Sequence, residues 1–189
     1  MKFSTLSIVY MLAFSFIYSD ARAQFVDSLE KKESQCKINL SLIGIGANYE
    51  IRLHKQSTLN FEADIKYGFV YSNSLMYGEN WGYILAPVFS TEYRQYYGTR
   101  RRIAKHKAIR NNSGNFFSFT VGYKAEPFVN KNMDDSAVFF GEPAWGMQRS
   151  WGRRINFESR FGFSLNHVHA TAQWEASPSV RLSIGYVIK

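Results

Sequence analysis

The sequence predicts an all-β protein: a closed antiparallel transmembrane β-barrel of about eight strands. Three features carry that expectation. Apolar and polar residues alternate with period two along much of the chain after Lys37, the pattern of strands with one apolar face. That face is heavy in Phe, Tyr and Trp, which make up 17% of the chain, as the interfacial girdles of such barrels require. Beyond the N-terminal segment no stretch reaches the roughly 18 consecutive apolar residues of a membrane helix. Any later crossing must therefore be a closed sheet, which leaves no unpaired backbone in lipid.

Lys2 precedes an apolar run from Leu6 to Tyr18, and Ala21-Arg22-Ala23 places small residues where a signal peptidase reads them. That run is too short for a membrane anchor, which needs about 20 residues. Residues 1–23 are expected to be a cleaved signal peptide, 24–36 an N-terminal polar segment, and 37–189 the β-barrel domain. A single cysteine, Cys36, excludes an internal disulfide.

The clearest strand sets Leu59, Phe61, Ala63, Ile65, Tyr67, Phe69 and Tyr71 against Asn60, Glu62, Asp64, Lys66 and Gly68. Ile155 to Leu165 and Val180 to Ile188 repeat the pattern. Shorter alternations run through Tyr49-Ile51-Leu53, Leu85 to Tyr97, Phe117 to Tyr123, and Trp145 to Trp151. Pro87 and Pro143 fall within two of them, where a missing N–H would break a ladder. Seven strands are thus read directly, whereas bacterial barrels hold an even number. The segment Lys37–Leu53 is longer than one membrane strand, and its apolar parity switches near Gly44 and Gly46. The eighth strand is expected in or just before it.

Connectors alternate in length. His54–Ser57 and Gly152–Arg153 are short, whereas Ser72–Trp81, Ala125–Val138 and Asn166–Glu175 are expected to be long loops. Short turns belong on the periplasmic side. The long segment from Gly98 to Asn115 falls on that side too.

The formal charge of +8 is concentrated there, in Arg100, Arg101, Arg102, Lys105, Lys107 and Arg110. These are the candidates for contact with an anionic head group or the cell wall, since clustered cations create a strong local field. Nucleic acid is not expected as a partner: no aromatic residue lies between Gly98 and Asn115 for base stacking, and a protein with the expected signal peptide rarely meets nucleic acid. Elsewhere Glu50, Glu62, Asp64, Glu92, Glu142 and Glu158 face the polar side with Arg52, Lys66, Arg94, Lys124, Arg160 and Arg181. Inside a small barrel these charges must pair, which favours a plugged lumen over a diffusion channel.

Glu92-Tyr93-Arg94-Gln95-Tyr96-Tyr97, then Arg101-Arg102-Ile103, then Asn111-Asn112-Ser113-Gly114-Asn115-Phe116 resembles a pattern in small outer-membrane barrel proteins of Bacteroidota. Trp145-Gly146-Met147-Gln148-Arg149 before a Gly-Arg turn is similar to that family as well. The resemblance implies a fold and a location, the outer membrane, with no assigned activity. The ending Tyr186-Val187-Ile188-Lys189 departs from the terminal aromatic residue of many such proteins.

His167 and His169, with Thr171 and Glu175 nearby, are the one arrangement suggestive of a metal pair or a lipid-modifying enzyme. Two histidines in a loop lack the third partner such chemistry needs. Asn130, Asn132, Asp134 and Asp135 offer oxygens without the spacing of a calcium loop. The expectation is a monomer in contact with outer-membrane lipid, with a structural or surface-interaction role, no enzymatic activity, no metal and no cofactor. The alternatives are that lipid-modifying enzyme and a soluble periplasmic, lipocalin-like binder of an apolar ligand.

Overall fold

The computed structural model describes residues 32–74, 78–132 and 135–188. The expected signal peptide and most of the polar segment lie outside the described residues. From Gln35 onward the chain is one antiparallel sheet. Its strands are β1 (Gln35–Ser41), β2 (Gly44–Arg52), β3 (Ser57–Ser74), β4 (Gly78–Tyr97), β5 (Gly114–Lys124), β6 (Val129–Lys131), β7 (Val138–Trp151), β8 (Ile155–Val168) and β9 (Gln173–Val187). One six-residue helix, α1 (Thr99–Ala104), follows β4.

Eight strands close into a ring in chain order, because β9 pairs with β1 while β3 pairs with β4. The three-residue β6 lies outside the ring, on β4 at Tyr83–Leu85. Following paired residues around from Ile38 leads through Ala47, Ala63, Phe89, Tyr123, Phe139 and His167 to Trp174. Ile38 itself pairs with Tyr186. The stagger from Trp174 to Tyr186, twelve residues over eight strands, tilts the strands by roughly 45° from the ring axis.

The missing strand lies where the parity switches. Residues Lys37 to Leu53 are a hairpin, β1 and β2, closed by Leu42 and Ile43, with Ser41 opposite Gly44. Neither proline breaks the sheet. Pro87 sits just past the last β5 partner of β4, Val88 opposite Lys124. At Pro143 the β8 ladder pauses between Gly141 and Ala144 and then resumes in register.

Two expected loops are mostly ladder. β3 and β4 remain paired to Ser74 opposite Gly78, and β8 and β9 to Val168 opposite Gln173. The β8–β9 end is half-buried to exposed on both faces and needs no apolar alternation, and both ends are mostly polar in sequence, so they read as loops. Only residues 125–137 form a long connector at that end, and they contain β6.

Side-chain distribution is inverted relative to a water-soluble core. Among the described residues, seven apolar side chains are buried against twenty-four polar or charged ones. The outer face exposes Ile45, Phe61, Ile65, Phe89, Phe119, Phe161 and Val180, among others. Its partners across the pleat, such as Asn60, Glu62, Glu92, Thr120 and Arg160, are buried inside the ring.

Candidate functional site

The interior is built from the polar phases of all eight ring strands, and Arg94 on β4 is its hub. It is completely buried. Its Nε and Nη2 donate to Glu92 Oε2 at 2.9 and 2.6 Å, and Nη1 and Nη2 donate to the two oxygens of Glu158 at 3.0 and 2.9 Å. Nη1 also donates to Gln148 Oε1 at 3.1 Å. Arg160 continues the network, with Nη2 on Glu62 at 3.1 Å, Nη1 on Glu92 at 2.7 Å and Nε on Glu158 at 3.1 Å. Arg181 joins Glu62 at 2.8 Å and Glu142 at 3.7 Å. Carboxylates with lone pairs in several directions suit planar guanidinium forks.

Toward the end of the ring that carries α1, Glu50 is the second centre. It accepts from Gln35 Nε2 at 2.6 Å, Thr58 Oγ1 at 2.7 Å and Tyr96 OH at 2.8 Å, and Lys37 Nζ lies 3.8 Å away. Lys37, Gln35, Tyr96 and Gln148 were absent from the sequence-level charge set. Two-residue spacing was the available signal: Lys37 alternates with Ile38, and Tyr96 shares the face of Glu92 and Arg94. Arg52, expected inside, is exposed at the strand end.

The segment after α1 closes this end of the interior. Asn111 and Asn112 adopt left-handed backbone, φ 49 and 58°, which turns the chain inward. Asn112 makes a reciprocal pair with the backbone of Glu33, donating at 2.8 Å and accepting at 2.8 Å. The Asn111 carbonyl accepts from Gln148 at 2.6 Å, and Ser113 Oγ lies 2.8 Å from Ser150 Oγ. Lys32 Nζ sits 4.2 Å from the centre of the Tyr96 ring, and burial lowers its pKa to about 8. A side chain at Gly114 would press on both groups, 3.1 Å from Tyr96 and 3.3 Å from Lys32.

Of the six basic candidates, Arg100, Arg101, Lys105, Lys107 and Arg110 are exposed, and Arg102 is half-buried. The ring adds cations that sequence reading did not group with them. Exposed Arg52, Lys55, Arg153 and Arg154 come from the β2–β3 and β7–β8 turns. Glu33 is the exposed acid beside them. Exposed or half-exposed Tyr97, Trp145, Trp151 and Tyr186 adjoin this basic end, where Arg154 Nη1 donates to Tyr186 OH at 2.7 Å.

The histidines are not brought together as a site. His167 packs against Trp174, with ring centroids 4.9 Å apart, and His169 lies exposed in the β8–β9 turn. Asp135 pairs with Lys124, and Asp134 lies outside the described residues. Among the described residues, the group with ligand-like spacing is Glu62, Glu92 and Glu158. Arg94 and Arg160 already occupy the space between those carboxylates, so a cation there would displace two guanidiniums.

At the opposite end from α1 lies a partly open vestibule of about 590 Å³ with a mixed polar and apolar lining. No protein-family model matches the chain, and neither a curated protein nor a solved structure matches it.

Proposed function

We propose that the chain is an outer-membrane β-barrel, its lumen closed by its own side chains, with a structural or surface-interaction role. The observation that carries this reading is the inverted burial: an apolar, aromatic-rich exterior around a charged interior. In water such an exterior would drive aggregation, whereas in lipid it is the favourable face. A soluble cup for an apolar ligand needs its apolar face inside, and here that face is outside. The resemblance of Glu92 to Phe116 to small Bacteroidota barrels supports the same location.

The basic end suits the phosphates of lipid head groups. Its cations border aromatic side chains that favour the membrane–water boundary, and they lie at the end with the short β2–β3 and β7–β8 turns, the periplasmic side of such barrels. The Arg94 network and the 111–113 segment obstruct the lumen, which argues against a pore. Reconstitution tests both parts. Tryptophan fluorescence should be quenched by phospholipids brominated on their acyl chains, and planar bilayers should show no steady conductance. Unquenched, detergent-free soluble protein contradicts membrane insertion, and a stable open current contradicts the plug.

A further inference from the structure

At the end of the ring opposite α1, β1 and β2 stop at the Leu42-Ile43 turn while their neighbours run on. β3 continues from Lys66, opposite Gly44, to Ser74, and β9 reaches back from Ser183, opposite Ser41, to Gln173. The wall above the turn is therefore a notch two strands wide. At the turn it separates β3 from β9 by three strand spacings, roughly 14 Å. Ladder parity decides which backbone groups face it. Tyr67 donates to the Ile43 carbonyl at 2.9 Å, and Leu42 to the Leu182 carbonyl at 3.3 Å. In an antiparallel ladder every second residue turns its backbone groups to the same side. Phe69, Tyr71 and Asn73 thus face the notch from β3, and Trp174, Ala176, Pro178 and Val180 face it from β9. Among the described residues, no strand pairs with either stretch on that side.

The molecule itself shows what such an edge takes. On the other side of the β3–β4 ribbon, β4 runs past β5 and is covered by its own chain. Ala125 and Phe128 donate to the carbonyls of Pro87 and Leu85, each at 3.0 Å, and β6 adds as a strand. The two edges at the notch differ in how open they are to the same addition. Pro178 turns a missing N–H toward it, a device that blunts an edge, whereas Phe69 to Asn73 contains no proline and no charge. We propose that a partner protein adds one extended segment, antiparallel, to the β3 edge in the place that β2 vacates. The rims set its chemistry. Leu42, Ile43, Phe69 and Val180 stand exposed on the outer rim, while Ser41, Lys66, Ser179 and Arg181 line the vestibule on the inner one. The segment is apolar in one phase and polar in the other, like the ring's own strands. A second copy fits worse: its β3 edge lies in a notch of its own, and a single strand, about 5 Å across, enters more freely than a barrel wall. The proposal rests on the surface-interaction role given above and not on membrane insertion.

A short fluorescein-labelled peptide alternating valine and threonine, titrated with the full chain in detergent micelles, tests this by anisotropy. It should bind saturably at millimolar concentration or below and slow amide exchange at Phe69, Tyr71 and Asn73. With its valines facing outward beside Phe69, the valine amides are the ones that meet β3. N-methylation at the valines should therefore weaken binding about tenfold or more, and N-methylation at the threonines should not. Tyr71→Pro removes a donor from the notch side and none from the β3–β4 ladder. It should weaken binding by a similar factor, with unchanged thermal unfolding as the control. Should this variant not fold, the methylated peptides and the exchange pattern still decide. Binding no greater than to empty micelles would overturn the proposal, as would equal binding of the two methylated peptides, or protection confined to β9. A dimer formed without peptide and protected at the same β3 amides would also overturn it, assigning the edge to a second copy. None of these outcomes touches the quenching and conductance tests of insertion and closure.

Discussion

Arg94 donates to two carboxylates and an amide while fully buried, so its removal strands Glu92 and Glu158 in a water-poor interior. Arg94→Met should cost about 3–5 kcal/mol, the usual penalty for breaking a buried ion pair from one side, read from urea unfolding in detergent micelles. A second residue-scale effect concerns Lys32, whose ammonium burial drives from 10.5 down to about 8. Between those values the folded chain holds fewer protons than the unfolded one, so stability rises with pH across that window. The penalty is fully present below about pH 8. Lys32→Met should make this rise smaller, which unfolding midpoints at roughly pH 7 and 10 would reveal. Glycines separate by what a methyl would meet. At Gly162 it would lie 2.3 Å from the Pro143 carbonyl oxygen, whereas at Gly141 its nearest neighbour is Phe119 at 3.8 Å. Gly162→Ala should therefore destabilise by about 1–3 kcal/mol, and Gly141→Ala by less than about 1 kcal/mol.

Elements divide by whether one face is apolar. Where it is, as in β3 from Leu59 to Phe69 or β8 from Phe157 to Leu165, alternation was legible in the sequence and the strands lie where it placed them. The β1–β2 hairpin was harder to see, because Leu42-Ile43 closes it without Gly, Pro, Asn or Asp, leaving only a parity change to mark the turn. The ribbon ends of β3–β4 and β8–β9 were missed for the opposite reason, being mostly polar in sequence. The connector after β4 was legible as basic, but not as a structured closure. That depends on Asn111, Asn112 and Ser113 meeting Glu33, Gln148 and Ser150, partners tens of residues away. Asn112→Ala should leave both backbone groups of Glu33 unpaired and cost about 1–3 kcal/mol, with faster amide exchange at residues 33–35. The exposed cations should act separately from this closure. Replacing Arg100, Arg101, Lys105 and Lys107 by Gln should weaken association with phosphatidylglycerol vesicles, since each basic residue near an anionic surface contributes about 1 kcal/mol. Association with phosphatidylcholine should be unaffected. Equal weakening on both lipids would contradict a head-group role.

Over the whole molecule, one rule of alternation serves two environments. Every strand of the ring presents its polar phase inward, where charges must find partners, and its apolar phase outward. Charge balance was legible as a count, yet the sequence could not say which carboxylate meets which guanidinium. Glu62 joins Arg160 and Arg181 across 98 and 119 residues of chain, and only the ring's stagger sets those meetings. The vestibule was invisible for the same reason, since its lining comes from strands distributed around the ring. The first measurement to make is electrophoretic mobility of the outer-membrane fraction in detergent, with and without boiling. A band in that fraction that shifts on boiling is the predicted result, because a closed sheet with an apolar exterior stays folded in detergent until heated. A soluble protein whose mobility does not change would contradict the membrane-embedded barrel.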